Sequence, residues 1–203
     1  MGFLSGRAAR AIVAIAGSLL LMAAGPADSP VNVPEPDGLW TGPARGYTPA
    51  TLQGATVLDL DSLDALIAKE KPVLLDVSLE DHRPKGFPEN RPWLPTHRSL
   101  PGSVWMPGAG AAPLDPAAEA VLLARIAALT AGDRTRAVVA FCRPECWGSW
   151  NLGKRLVQQG YTNVFWFPEG IEGWQDRHPT VATKPDPDWE ARPKPVRGEG
   201  AQR

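Results

Sequence analysis

Ala137-Val138-Val139-Ala140-Phe141-Cys142-Arg143-Pro144-Glu145-Cys146-Trp147-Gly148-Ser149-Trp150 is the stretch on which the fold turns. Its first five residues are apolar without a polar break, the pattern of a strand covered on both faces. From Ser149 the period changes to that of a helix. Leu152, Leu156 and Val157 fall on one side and Lys154, Arg155, Gln158 and Gln159 on the other, with Gly160 as the stop. A strand that hands over to a helix through a short loop is half of a βαβ unit. In an open parallel sheet ligands bind beyond the carboxyl ends of the strands, and Cys142 stands there.

Working outward, Val73-Leu74-Leu75-Asp76-Val77 repeats the buried-strand pattern, with Asp76 near its end. Thr56–Leu58, Val104–Met106 and Asn163–Phe167 are further strands. Asp61 or Ser62 caps a helix whose Leu63, Leu66 and Ile67 share a face, with Asp64 in its first turn. Asp115-Pro116 caps a second helix that runs to about Thr130, with Val121, Leu122, Ile126 and Leu129 inward and Gly132 as terminator. Alternating strands and helices of this size predict an α/β fold: one domain over residues 56–183, a central parallel sheet with helices on both faces. Residues 28–55 form a Pro- and Gly-rich lead-in that wraps the domain. Residues 184–203 are rich in Pro, Gly and charge and predict a disordered tail. The loop 78–102 carries Pro84, Pro88, Pro92, Pro95 and Pro101, and loops of that length are functional or packed tightly on the domain.

The N-terminus points to export. Arg7 and Arg10 precede an uncharged apolar run from Ala11 to Ala24, too short to span a bilayer comfortably. Ala23, Ala24, Gly25 and Ala27 supply the small residues of a cleavage site, so residues 1–27 read as a signal peptide and the mature chain as periplasmic, with no membrane association after cleavage. A net charge of −1 without a basic block disfavours a nucleic-acid partner. Two cysteines in an oxidising compartment are expected as a disulfide at rest.

The segment after Cys142 leads into a helix N-terminus, whose free N–H groups and dipole favour a thiolate. Arg143 adds to that and Glu145 opposes it. Asp76 and His97 are candidates for orienting the long loop, or are plain turn groups. Trp147, Trp150, Trp166 and Trp174 read either as core or as a stacking face for a flat partner such as a quinone. A hydrolase is unsupported, since no G-x-S-x-G elbow is present, and a covalent c-type haem is excluded by Trp147 after Cys146.

Leu75-Asp76-Val77, then Leu100-Pro101-Gly102-Ser103, then the strand-Cys142-loop-Ser149-helix, then Glu169-Gly170-Ile171-Glu172-Gly173-Trp174 together resemble, in order, the landmarks of the rhodanese family. More narrowly, Phe141 to Asn151, with Trp166 and the Pro-rich His97 loop, resembles the periplasmic PQQ-dependent catabolism-associated CXXCW-motif proteins. Here three residues, not two, separate the cysteines. The resemblance implies Cys142 as sulfur acceptor, carrying a persulfide, with the loop from Arg143 through Trp147, Gly148 and Ser149 around the substrate. It also implies an accessory role in PQQ-dependent alcohol oxidation, with a quinoprotein dehydrogenase or a c-type cytochrome as partner and no covalent cofactor. Two departures stand out. Sulfurtransferase loops commonly place an arginine just before the Ser position, where Trp147 and Gly148 stand, and a phosphatase would need that arginine at Gly148. Cys146 is the other: four positions from Cys142 in a tight loop, it can reach disulfide distance.

Three chemistries remain open for the pair: a redox disulfide, a structural staple, and persulfide transfer resolved by Cys146. A Cu(I) site with His82, His97 or His178 lacks diagnostic spacing. A binding module for the dehydrogenase or its cytochrome, with the disulfide purely structural, is the reading of a different class.

Overall fold

Asp76 at the end of one strand and Phe141 at the end of its neighbour lie side by side in register, and around that pairing the domain is built. The structure, a computed structural model, describes residues 32–193. Five strands form an all-parallel sheet in the order β1 (Thr56–Val57), β6 (Val164–Phe167), β5 (Val138–Phe141), β2 (Val73–Asp76), β4 (Val104–Trp105). A small antiparallel pair, β3 (Arg98–Ser99) with β7 (Val181–Ala182), ties the long loop to the C-terminal segment.

Every residue of β2 and β5 is buried, as a parallel strand covered on both faces must be. Side chains alternate across the sheet. Leu75, Val77, Val138, Ala140 and Cys142 pack with Leu122 and Ile126 of α2 (Pro116–Leu129) and Leu152 and Leu156 of α3 (Trp147–Gln158). Leu74, Val139 and Phe141 face the other way, onto Leu63 and Leu66 of α1 (Leu60–Glu70) and Ile171 and Trp174 of α4 (Gly170–Gln175). The consequence for the site is that Cys142 leaves β5 on the α2/α3 face, whereas Asp76, between Leu75 and Val77, belongs to the opposite face.

The expected single α/β domain is found, with differences at its edges. Helix α1 is capped by Asp59, which accepts from the Ser62 N–H at 2.8 Å, rather than by Asp61 or Ser62. Starting the helix two residues earlier buries Leu60. Helix α2 has the expected Asp115 cap and Pro116 and ends as expected, with Thr130 as its C-cap and Gly132, at φ +77°, closing the turn. Helix α3 begins at Trp147, not Ser149; Cys146 is its N-cap and offers no side-chain hydrogen bond there.

The largest correction is at the C-terminus, where residues 184–193, expected to be disordered, are folded. Asp186 caps α5 (Pro187–Glu190) and pairs with Arg125 of α2 at 2.8 Å. Trp189 is buried in the α2/α3 core and its indole N–H donates to Pro107 O at 2.9 Å. A large indole removed from water outweighs the local Pro and charge content that suggested disorder. The predicted signal peptide and the rest of the tail lie outside the described residues. No helix among those described is long and apolar enough to cross a membrane.

Candidate functional site

Strand β5 ends at Phe141, and the next five residues make the turn that carries the sulfurs. Cys142 O accepts from the Ile171 N–H at 2.9 Å, which pins the start of the loop to α4. Glu145 takes a left-handed φ of +53°, turning the chain back so that Cys146 opens α3. Cys142 and Cys146 form a disulfide across this turn, with Cα atoms 6.5 Å apart. The pairing expected from composition is thus present.

The two sulfurs have different surroundings. Cys142 is fully buried; Cys146 is 8% exposed and lines two adjoining clefts. One cleft is apolar and lined by Trp40, Val77, Leu79, Gly110, Trp147 and Gly148. The second is bordered by the polar and charged residues Arg45, Asp81, His82 and Arg143. Ser149 Oγ lies 3.0 Å from Cys142 Sγ and accepts from the Trp166 indole N–H at 3.1 Å. Of the predicted site residues, Cys142, Cys146, Trp147, Gly148 and Ser149 therefore converge. Arg143 stands at the rim, its guanidinium 3.8 Å from Asp81 and 3.7 Å from Glu172, so its charge is shared with carboxylates.

Asp76 and His97 are brought together, but not at the sulfurs. His97 Nε2 and Asp76 Oδ2 are 2.6 Å apart in a hydrogen bond, the Ser99 hydroxyl donates to the same oxygen at 2.6 Å, and the Ser78 N–H donates to Oδ1 at 2.8 Å. Trp105 stacks on the His97 ring with centroids 3.8 Å apart. This network fastens both ends of the 78–102 loop, on the sheet face away from Cys142. Three of the four expected tryptophans, Trp147, Trp150 and Trp166, form a buried cluster with Leu52. Trp174 packs on the other face and stacks on His178. They are core, and no exposed stacking face is formed by them. His178 is bonded to Asp64, so of the three histidines only His82 borders a cleft with a cysteine. Among the described residues no group of three or more His, Cys, Asp or Glu is placed to hold a metal.

What sequence reasoning missed is the part played by the lead-in. Residues 44–46 pair antiparallel with the cysteine loop: the Trp147 N–H donates to Ala44 O at 2.9 Å and the Gly46 N–H to Glu145 O at 2.9 Å. One amide at the start of α3 therefore faces the lead-in and not a ligand. Trp40 stacks on Trp147 with centroids 4.3 Å apart, and Asn151 clasps the Trp40 backbone through both ends of its amide, at 2.8 and 2.9 Å. The sequence signal for this was slight: a tryptophan in a Pro- and Gly-rich stretch, and an asparagine inside a helix that disfavours it.

Glu35 anchors the same strap, accepting from the Gln53 N–H at 2.7 Å, the Thr51 hydroxyl at 2.8 Å and Lys154 Nζ at 3.1 Å. Burial by itself raises the Glu35 carboxyl, but these hydrogen bonds outweigh it and hold the group below its ordinary value. A carboxylate with a depressed folded value contributes stability above its ordinary value, and that contribution is lost as the pH falls through the folded one. The strap is therefore expected to loosen in acid below the ordinary 4.5, reported by tryptophan fluorescence from the Trp40–Trp147 stack. In Glu35→Gln this step should be absent. An identical acid transition in the variant would show that Glu35 is not the anchor.

The class these features define is an α/β domain carrying its cysteine pair in the strand–loop–helix turn at the carboxyl edge of a parallel sheet. Within that class the chain belongs to the rhodanese-like domain family, whose model matches residues 59–177. Among solved structures it is similar to a thiosulfate sulfurtransferase from Pseudomonas aeruginosa, at 22% identity and a TM-score of 0.42 over 64% of this chain; the match spans only 21% of that protein. It is also similar to a polysulfide-sulfur transferase homodimer from Wolinella succinogenes, at 16% identity and a TM-score of 0.41, covering 64% of this chain and 80% of that one. No curated protein sequence matches.

Proposed function

We propose that this protein is an exported rhodanese-like accessory protein of PQQ-dependent alcohol catabolism whose chemistry is thiol–disulfide exchange at Cys142 and Cys146. The observation that carries the chemistry is a disulfide in the family's reactive turn, with Cys146 lining two clefts and Cys142 fully buried beside a hydroxyl. Strained or accessible disulfides are the labile ones, whereas fully enclosed ones are staples. Sulfur transfer with a persulfide on Cys142 is the weaker form of the same reading, because Cys142 is enclosed and no arginine stands at Gly148. The periplasmic setting rests on the signal-like N-terminus, and the link to a quinoprotein dehydrogenase or its cytochrome rests on the motif resemblance.

The binding-module reading draws on a specific observation, the lead-in strand laid along the cysteine loop. The experiment that separates the two is the reduction potential of the pair, by equilibration against glutathione with thiol trapping. A potential near or above about −200 mV is expected for an exchanging pair. A value below about −300 mV would make the bond a staple and leave the binding module as the function.

A further inference from the structure

We propose that exchange enters through Cys146, and that Cys142, the position a family comparison would take as reactive, is the buried sulfur that leaves. This assignment rests on the pair being redox-active. Three observations carry it. Cys146 lines both clefts, and the lining of neither includes Cys142. Gly148, in the lining of the apolar cleft, lies beside the sulfur: a Cβ there would lie 3.5 Å from Cys146 Sγ. The third is Ser149. The Trp166 indole N–H occupies a lone pair of its oxygen, and a disulfide sulfur has no proton to give. The Ser149 hydroxyl rests on Cys146 O in a long hydrogen bond of 3.4 Å, and its proton can turn to Cys142 Sγ, 3.0 Å away, when charge forms there.

A thiolate of a dithiol substrate attacks Cys146 Sγ. The new bond joins the substrate sulfur to Cys146, the Cys142–Cys146 bond breaks, and its electron pair stays on Cys142. That charge appears 3.0 Å from the Ser149 hydroxyl, and a better-stabilised leaving thiolate departs faster. The second thiolate of the substrate then attacks its own first sulfur, releasing the substrate as a disulfide and Cys146 as a thiolate. Two electrons pass from the dithiol to the pair, and the two substrate protons finish on the protein thiols. The apolar cleft beside Cys146 suits a dithiol whose carbon skeleton is apolar.

The test uses the full chain with single-cysteine variants and 5,5′-dithiobis(2-nitrobenzoate) as probe. Cys142→Ser, which retains Cys146, is expected to release nitrothiobenzoate at least about tenfold faster than Cys146→Ser, which retains the enclosed thiol. Equal or reversed rates would overturn the assignment. Because either variant loses the disulfide and could unfold, the oxidised wild-type protein is also opened with excess glutathione, acid-quenched and mapped by mass spectrometry. The glutathione adduct is expected on Cys146, and an adduct on Cys142 overturns the assignment. Ser149→Ala is expected to slow that opening about fivefold or more, the effect of one hydrogen bond to a developing charge, and an unchanged rate removes Ser149 from it. A wild-type bond that glutathione does not open at all sinks the redox function itself, while the single-cysteine rates still decide which sulfur is reachable.

Discussion

Asp76→Ala is expected to cost the domain at least about 3 kcal/mol of stability, measured by urea unfolding, because it strands three buried donors at once. The carboxylate is fully buried and serves the Ser78 N–H, the Ser99 hydroxyl and His97. Alanine supplies no acceptor and leaves a void that water enters only by loosening the loop. Asp76→Asn keeps one acceptor oxygen and turns an NH₂ toward donors, so it should fall between alanine and wild type. The same substitution separates two ideas of what Asp76 does. A catalytic carboxylate would change thiol exchange in the folded protein. A carboxylate that fastens the 78–102 loop from the opposite sheet face changes the unfolding midpoint and leaves the exchange rate of the folded molecule near the wild-type value. A stability loss under about 1 kcal/mol would mean that the network is dispensable.

Gly170→Ala is the second large effect, expected at about 2–4 kcal/mol from a left-handed backbone combined with steric overlap. Gly170 has φ +60°, and an added Cβ would overlap the Cys142 carbonyl oxygen and sit 2.9 Å from its carbon and 3.0 Å from Arg143 Cα. These are backbone atoms, held by the Ile171 N–H bond to Cys142 O, so no flexible side chain can yield. Relief requires moving the cysteine loop. The variant should therefore show both a lower unfolding midpoint and a disulfide opened more readily by glutathione. A wild-type midpoint would show that α4 shifts freely and that the loop does not depend on it.

How far the sequence carried can be argued residue by residue. The β-branched runs at 73–77 and 137–141 are legible because burial on both faces leaves no room for alternation, and the sheet follows from them. Cys142 at a strand end was legible for the same reason. The start of α1 was not, because Asp59, Asp61 and Ser62 are all competent caps and only the burial of Leu60 decides among them. The folded C-terminal segment carried a signal that composition masked: Asp186-Pro187 repeats the cap signature of Asp115-Pro116, with a tryptophan two residues on. The lead-in gave least. Its bonds to Asn151 and Lys154 join residues more than a hundred positions apart, and no local period records such contacts. Nor does any sequence pattern say which of two cysteines four apart will face a cleft.

The alternation of side chains along β2 and β5 makes the sheet a partition between two kinds of genetic consequence. On the α1/α4 side stand the residues that fasten the 78–102 loop and seat α4, and damage there lowers how much folded protein a cell holds. On the α2/α3 side the core of Leu122, Ile126, Leu152 and Leu156 stands beside Cys142 and Cys146, so under the thiol-exchange reading changes near Gly148 and Ser149 act on the chemistry itself. Phenotypes that look alike in a growth assay would then part by position: a variant in the loop-fastening network is rescued by raising expression or lowering temperature, and a variant at the cysteine turn is not.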